Sequence, residues 1–288
     1  MMRYVTAQTV DQAVQYLAQE PGLSRILSGG TDLLVQLKAQ MIAPDLIVDV
    51  KHIPGMRDIE LHAGSFRIGA AVSGAELGEH SALCAAWPGL AEGFKLIGST
   101  QVQGRATLAG NLCNASPAAD AVPCLVAAGA TIRLVGPNGM RDVPAEDISV
   151  GPGRTTLLRG EFVEAIFLPA RAAGSSDAYQ RFTPRSEMDI AVVSAGVNII
   201  LGSDKTISTA RVALGAVAPT VLLVQACADA ILGSRLDDAA LDRLDEAASA
   251  ACNPIDDKRG TIEYRTHVAG VLARRTAQVA FDRAGANL

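Results

Sequence analysis

The sequence is poor in the residues that build metal centres and disulfide frameworks. Five cysteines and four histidines are spread over 288 residues, without a CxxC pair or a Cys/His cluster. This spacing supports neither a zinc site nor an iron–sulfur centre. The cysteines are therefore typical of a reducing compartment, and each histidine is interpreted as a solvated or core residue.

Long apolar runs and clusters of basic residues are also missing. No stretch approaches the roughly 20 apolar residues of a membrane span, and the first residues, MMRYVTAQTVDQAV, lack the pattern of a signal peptide. The formal net charge is -5 and the lysines and arginines are scattered, so no basic stripe is available for a nucleic-acid backbone. We expect a cytoplasmic chain with no membrane span and no nucleic-acid partner.

The chain is nevertheless rich in apolar residues, and its first half predicts short strands that alternate with helices. With 49% hydrophobic residues and a mean hydropathy of +0.24, it should be globular throughout. Thr9 is a suitable N-cap for an amphipathic helix that ends at Pro21-Gly22. Further apolar patterns predict strands at 26–27, 46–48, 66–69 and 161–168, helices at 33–38, 90–97 and 121–130, and a hairpin at 130–143.

The second half of the chain has a different pattern of predicted elements. The stretch 171–177, RAAGSSD, has the composition of a linker. Apolar runs then predict an antiparallel meander at 179–182, 190–201 and 206–217, followed by helices at 222–232, 236–250 and 262–282. We therefore predict an α+β protein with a first domain over 1–175, in sub-parts of about 1–55 and 56–175, and a second α+β domain over 176–288.

Two loops rich in small polar residues indicate a ligand site. They are LSGGTD at 27–32 and TLAGNLCNASPAAD at 107–120. Glycine permits close approach and exposes its N–H, while Asn and Ser carry short donors, so two such loops predict a ligand with several phosphate or hydroxyl groups. Neither loop matches the dinucleotide fingerprint or carries a P-loop lysine. Two alternatives stay open: both loops are ordinary turns, or Asp120 only caps the helix that follows it.

Four segments together resemble the flavin-binding medium subunit of the molybdenum hydroxylases, the xanthine dehydrogenase and carbon monoxide dehydrogenase family. They are the two glycine loops, FTPRSEMDIAVVSAGV at 182–197 and DDKRGTIEYRTHVAGVLARR at 256–275. The resemblance implies a two-part FAD-binding domain of the PCMH/vanillyl-alcohol-oxidase type. It also implies a smaller C-terminal domain with a three-stranded antiparallel sheet and helices.

The resemblance also implies which residues hold FAD, and it implies no catalytic side chain and no metal ligand in this chain. Arg181 matches a lysine of the family, whereas for Arg185 and Asp189 an ion pair is as good an interpretation as a flavin contact. The implied FAD-binding residues are Leu27, Ser28, Gly29, Gly30, Thr31, Asp32, Leu33, Ala106, Thr107, Gly110, Asn111, Cys113, Asn114, Asp120, Phe162 and Arg181. A Gly30→Val change is expected to remove FAD by blocking approach of the backbone.

Partner subunits follow from the resemblance as well. A small subunit with [2Fe–2S] clusters and a large molybdopterin subunit would form a dimer of heterotrimers with this chain. FAD would take electrons from the clusters and pass them to an external acceptor. The alternatives are a self-contained FAD oxidoreductase and a non-catalytic assembly subunit.

Overall fold

A computed structural model of the chain describes residues 1–186 and 188–288. Its first layer is a three-stranded parallel sheet, flanked by helices, in which the last strand in sequence lies between the other two. The elements are β1 (Arg3–Thr6), α1 (Val10–Gln19), β2 (Ser24–Leu27), α2 (Leu33–Lys38) and β3 (Leu46–Asp49). The Thr9 hydroxyl caps α1 by accepting the Gln12 N–H at 3.1 Å, as the sequence predicted. The parallel pairing places the glycine loop, which follows β2, beside the end of β3.

A five-stranded antiparallel sheet forms the second layer, with the last of its strands in sequence in the middle, the first two on one side of it and the other two on the other side. A run of helices connects the second strand in sequence to the third, and a small hairpin of two strands precedes the last. The elements are β4 (Ile59–His62), β5 (Ser65–Gly69), α3 (Gly74–Glu79), α4 (Ser81–Ala86), α5 (Pro88–Lys95), α6 (Thr100–Gln103), α7 (Leu108–Cys113), α8 (Ala121–Ala128), β6 (Thr131–Gly136), β7 (Gly139–Pro144), a 3₁₀ turn (Ala145–Asp147), β8 (Ser149–Gly151), β9 (Arg154–Thr155) and β10 (Phe162–Leu168).

One hydrophobic core joins the two layers. It runs from Ala7 and Val48 of the first layer to Ile132 and Ile166 of the second. All residues of α8 are buried, because this helix packs on α5 and α7 on one side and on the C-terminal sheet on the other. The predicted buried helix is therefore confirmed, and it connects the site to the C-terminal domain.

The C-terminal domain is an antiparallel sheet covered by helices. Its elements are β11 (Ser175–Phe182), β12 (Val193–Leu201), β13 (Ile207–Gly215), β14 (Leu222–Leu223), α9 (Gln225–Ile231), α10 (Asp238–Ala250) and α11 (Ile262–Ala286). The sheet has four strands in sequence order, where the sequence predicted three, because Leu222 and Leu223 pair with β13 before the helix begins. Fully buried alanines, Ala269, Ala273, Ala277 and Ala280, allow α11 to approach the sheet closely.

The stretch predicted as a linker, 171–177, is a tightly packed part of the protein. β11 begins at Ser175, and Ser176 and Asp177 are buried and paired with β12. The small polar residues suggested a solvated turn, but partners satisfy them: Ser175 Oγ donates to the Ala172 carbonyl at 2.6 Å. Arg171 forms an ion pair with Asp177. The composition of this stretch correctly indicated polar residues, but the expectation that they are exposed to solvent was wrong.

In the part of the chain that the structure describes, no helix is both long enough and apolar enough to cross a membrane.

Candidate functional site

A cavity of about 640 Å³ lies between the glycine loop of the first layer and the α7 segment of the second. This volume falls in the range of about 300 to 1,000 Å³ that is usual for sites of small molecules and cofactors. Its wall includes residues 28–33 and 21–26, and residues from the stretches 106–114 and 153–163. The cavity is therefore bounded by both segments that the sequence singled out.

The glycine loop joins β2 to α2 through a left-handed residue. Gly30 has φ +85°, and its carbonyl accepts the Leu34 N–H at 2.9 Å. A Cβ at Gly30 would lie 2.8 Å from Cδ1 of Leu27 and 3.3 Å from Cδ1 of Leu34. The glycine is thus required by the backbone conformation and by the packing beneath the loop. The expectation that a side chain here would block the approach of the backbone to FAD stays a prediction.

The segment predicted as an extended loop at 107–120 contains the short helix α7. Thr107 caps this helix, and its Oγ1 accepts the Gly110 N–H at 3.0 Å. Leu108 and Leu112 are four residues apart and both buried, and this spacing turns the segment into a helix despite its glycine and asparagines. Asn111 Oδ1 accepts the Ala121 N–H at 3.2 Å, so α7 is tied to the start of α8.

The cavity carries a carboxyl group and a neutral thiol. Asp32 is accessible at the cavity mouth, where its Oδ1 accepts a hydrogen bond of 3.3 Å from Asn114 Nδ2, and partial desolvation raises the pKa of its carboxyl. Burial raises the pKa of the half-buried Cys113 thiol to about 12. A carboxylate repels a phosphate but accepts hydrogen bonds from hydroxyl groups, so the chemistry around Asp32 suits a polyol.

Most of the residues that the resemblance implied lie on the cavity wall of the described structure, the exceptions being Leu27, Asp120 and Arg181. Leu27 packs with Leu33 and Ile47 in a small cluster below the loop. The residues on the wall are Ser28, Gly29, Gly30, Thr31, Asp32, Leu33, Ala106, Thr107, Gly110, Asn111, Cys113, Asn114 and Phe162. Their contact with FAD stays a prediction, as it does for Leu27, Asp120 and Arg181.

Asp120 and Arg181 are paired with each other across the two domains. The buried Asp120 carboxylate accepts hydrogen bonds from Tyr179 Oη at 2.8 Å and from an Arg181 guanidinium N–H at 2.6 Å. Within the described residues, Asp120 makes no side-chain capping bond to α8, so the alternative that it is only a helix cap is wrong. The pair links Asp120, at the end of the segment 107–120, to β11 of the C-terminal domain.

We expect the titration of Asp120 to appear in the stability of the protein. Burial raises the pKa of Asp120 from 3.8 to about 6, and this outweighs the opposing effects of Arg181 and Tyr179. The folded state therefore binds the proton more tightly than the unfolded state, and the stability due to this group decreases as the pH rises from about 4 to about 6. Over that window Asp120→Asn should gain about 1 to 3 kcal/mol relative to the wild type, measured by urea unfolding. A constant difference across the window would contradict the shift.

Arg185 and Asp189 form the ion pair that was one of two interpretations. Arg185 Nε lies 3.5 Å from Asp189 Oδ2, and Arg259 Nε lies 3.5 Å from Asp189 Oδ1. The Asp189 side chain is only 4% exposed, so these two arginines hold the loop before β12. The ion-pair interpretation is the one that the geometry supports.

Sequence reasoning missed two arginines of the cavity wall. Arg25, on β2, and Arg159, in the loop before β10, both line the cavity. They are more than a hundred positions apart in the sequence, and neither occurs in a recognisable motif. Only the pairing of β10 with β5 and β6, and the packing of that sheet on the first layer, brings them to the same wall.

The fold and the cavity together define a protein whose two N-terminal layers enclose a nucleotide-sized site and whose third part is a separate helix-covered sheet. Residues 1–171 match the family described as FAD binding domain in molybdopterin dehydrogenase. Residues 177–280 match the CO dehydrogenase flavoprotein C-terminal domain.

Individual relatives extend over almost the whole chain. The carbon monoxide dehydrogenase medium chain of Hydrogenophaga pseudoflava is 33% identical over 280 residues, 97% of each chain. The xanthine dehydrogenase FAD-binding subunit of Escherichia coli O157:H7 is 28% identical and covers 99% of this chain and 98% of its own length. The solved reconstituted CO dehydrogenase from Oligotropha carboxidovorans superposes with a TM-score of 0.93 at 31% identity, over 98% of both chains.

The chain therefore belongs to the FAD-binding medium-subunit family of the molybdenum hydroxylases. The resemblance stated from the sequence, the fold class and FAD as the cofactor of this chain are confirmed.

Proposed function

We propose that this chain is the electron-transfer subunit of a heteromeric molybdenum hydroxylase. FAD bound here would take electrons from [2Fe–2S] clusters of a partner subunit and pass them to an external acceptor. The observation that supports this proposal is the cavity between the glycine loop and α7, in a chain whose first 171 residues match an FAD-binding family. The flavin itself supplies the redox chemistry, and the protein supplies its position.

The residues on the cavity wall fit the groups of FAD. Backbone N–H groups of residues 28–32 are suited to the pyrophosphate, because several donors close together can bind one anion. Asp32 and Asn114 are suited to hydroxyl groups, since a carboxylate and an amide provide both acceptors and donors. Arg25 and Arg159 add cationic donors to the cavity wall.

The partners are proposed from the relatives. Two of them are named medium chains of carbon monoxide dehydrogenase, which implies further chains in those enzymes. We infer a small iron–sulfur subunit and a large molybdopterin subunit, arranged with this chain as a dimer of heterotrimers in the cytoplasm. The substrate would be oxidised on the large subunit.

Purification of this chain, alone and from its native host, tests the proposal. The isolated chain should be yellow with the visible absorbance of FAD, and the native preparation should contain the two partner chains. Dithionite-reduced partner subunits should reduce the bound FAD in a stopped-flow experiment. A colourless native preparation would favour an assembly subunit, and a lone chain that oxidises a substrate would favour a self-contained oxidoreductase.

A further inference from the structure

The two cofactor segments, the glycine loop at 27–32 and the stretch 105–114, touch each other directly at three points. Ser28 Oγ lies 3.2 Å from Thr107 Oγ1, and Asn114 Nδ2 donates to Asp32 Oδ1 at 3.3 Å. Between these contacts, the Arg105 Nε–H donates to the Gly29 carbonyl at 3.2 Å. Each contact joins the first layer to the second, so the cavity has a wall made of both.

Gly29 allows the backbones of the two segments to approach each other closely. A Cβ on Gly29 would lie 2.0 Å from the carbonyl oxygen of Arg105 and 3.2 Å from Cα of Ala106. These are backbone atoms, which cannot move aside as the end of a flexible side chain can. The position that a side chain would occupy is therefore filled by the opposite segment. The missing side chain of Gly29 lets the two segments close on each other.

Ser28 adds a chain of hydroxyl contacts, here called the hydroxyl relay, where the two segments meet. Its Oγ–H is within donating distance of the Ala70 carbonyl oxygen, at 2.8 Å, and of Thr107 Oγ1, at 3.2 Å. Thr107 Oγ1 in turn accepts the Gly110 N–H at 3.0 Å. A hydroxyl carries one proton, so the Ser28 proton is used within the protein, and Ser28 fixes the hydroxyl that caps α7.

We propose that Ser28 and Gly29 are positioning residues that close the two cofactor segments on each other before FAD binds. This inference rests on the proposed FAD site, but it assigns these two residues a role that does not depend on their own contact with FAD. It predicts that a change in the glycine loop alters the α7 segment of the protein even in the absence of FAD.

Hydrogen exchange of the full-length chain, freed of FAD, tests this coupling. Ser28→Ala removes the relay without a clash, and it should speed exchange of the amides in 107–114 by about three- to ten-fold. Gly29→Ala should produce a larger increase, because the segments are forced apart. Gly78→Ala is the matched control: among the described residues, its Cβ on α3 would meet nothing within 4 Å. This control should leave exchange in 107–114 unchanged.

The reciprocal change distinguishes coupling from local damage. Thr107→Val should speed exchange in the loop at 27–32, whereas Thr107→Ser keeps the hydroxyl and should restore slow exchange there. The FAD dissociation constant of Ser28→Ala should rise about ten-fold. Exchange in 107–114 that is unchanged in both Ser28→Ala and Gly29→Ala would overturn the inference. A wild-type chain whose melting temperature does not rise with added FAD would instead contradict the FAD site, and the exchange data would still stand.

Discussion

The Gly30→Val variant is expected to purify almost colourless, with FAD affinity lowered about 100-fold or more. Valine is strongly disfavoured at φ +85°, and its branched side chain would be forced against Leu27 and Leu34. The loop must therefore change its backbone conformation, and the N–H groups of residues 28–32 leave the positions that suit a pyrophosphate. The ratio of visible to ultraviolet absorbance, and titration of the apo chain with FAD, measure the loss.

A second left-handed glycine provides the control. Gly233 has φ +73° and lies between α9 and α10, and a Cβ there would meet no described atom within 4 Å. Gly233→Val should introduce similar backbone strain, about 1 to 3 kcal/mol, without affecting the cavity. It should lower the melting temperature and retain FAD. Full flavin occupancy in Gly30→Val would show that the loop does not hold the cofactor.

Local patterns in the sequence were sufficient for several of the elements and for the two segments of the site. The apolar spacing after Thr9 predicted a helix with one buried face, and the continuous apolar run at 121–128 predicted a helix buried on all sides. The glycine loop at 27–32 followed from its composition. These features depend on residues that are close together in the sequence, so a single sequence contains the information needed to predict them.

The parts that the sequence did not reveal depend on distant pairing. Asp120 and Arg181 were assigned to FAD by resemblance, but their bond to each other is formed by packing α8 against β11. Composition at 107–120 predicted a loop, but part of this segment is the helix α7, in which the two leucines are buried. Likewise, the polar stretch at 171–177 is buried because Arg171, Asp177 and their partners compensate one another, and this compensation involves residues from four separate elements.

Arg171→Met is expected to lower the free energy of unfolding by about 3 to 5 kcal/mol, the usual cost of leaving a buried charge without its partner. The Arg171 guanidinium pairs with the Asp177 carboxylate, stacks on the Trp87 ring at 3.6 Å and donates to Asn198 Oδ1 at 2.6 Å. Asp177 is 2% exposed and also accepts the Leu90 N–H at 3.1 Å, so methionine would leave its carboxylate buried and largely uncompensated. Urea unfolding at pH 7 measures the loss.

The pH dependence of this loss identifies its cause. Burial already raises the pKa of Asp177, and removal of Arg171 should raise this pKa further, so the carboxyl of the variant becomes neutral on folding at mildly acid pH. The folded variant then binds a proton that the unfolded chain does not, and the deficit should shrink as the pH falls from 7 to 5. Arg133→Met removes the half-buried partner of the exposed Asp142 and should cost less than about 1 kcal/mol at either pH. If Arg171→Met had an equal deficit at both values, lost packing on Trp87, rather than the charge of Asp177, would explain the instability.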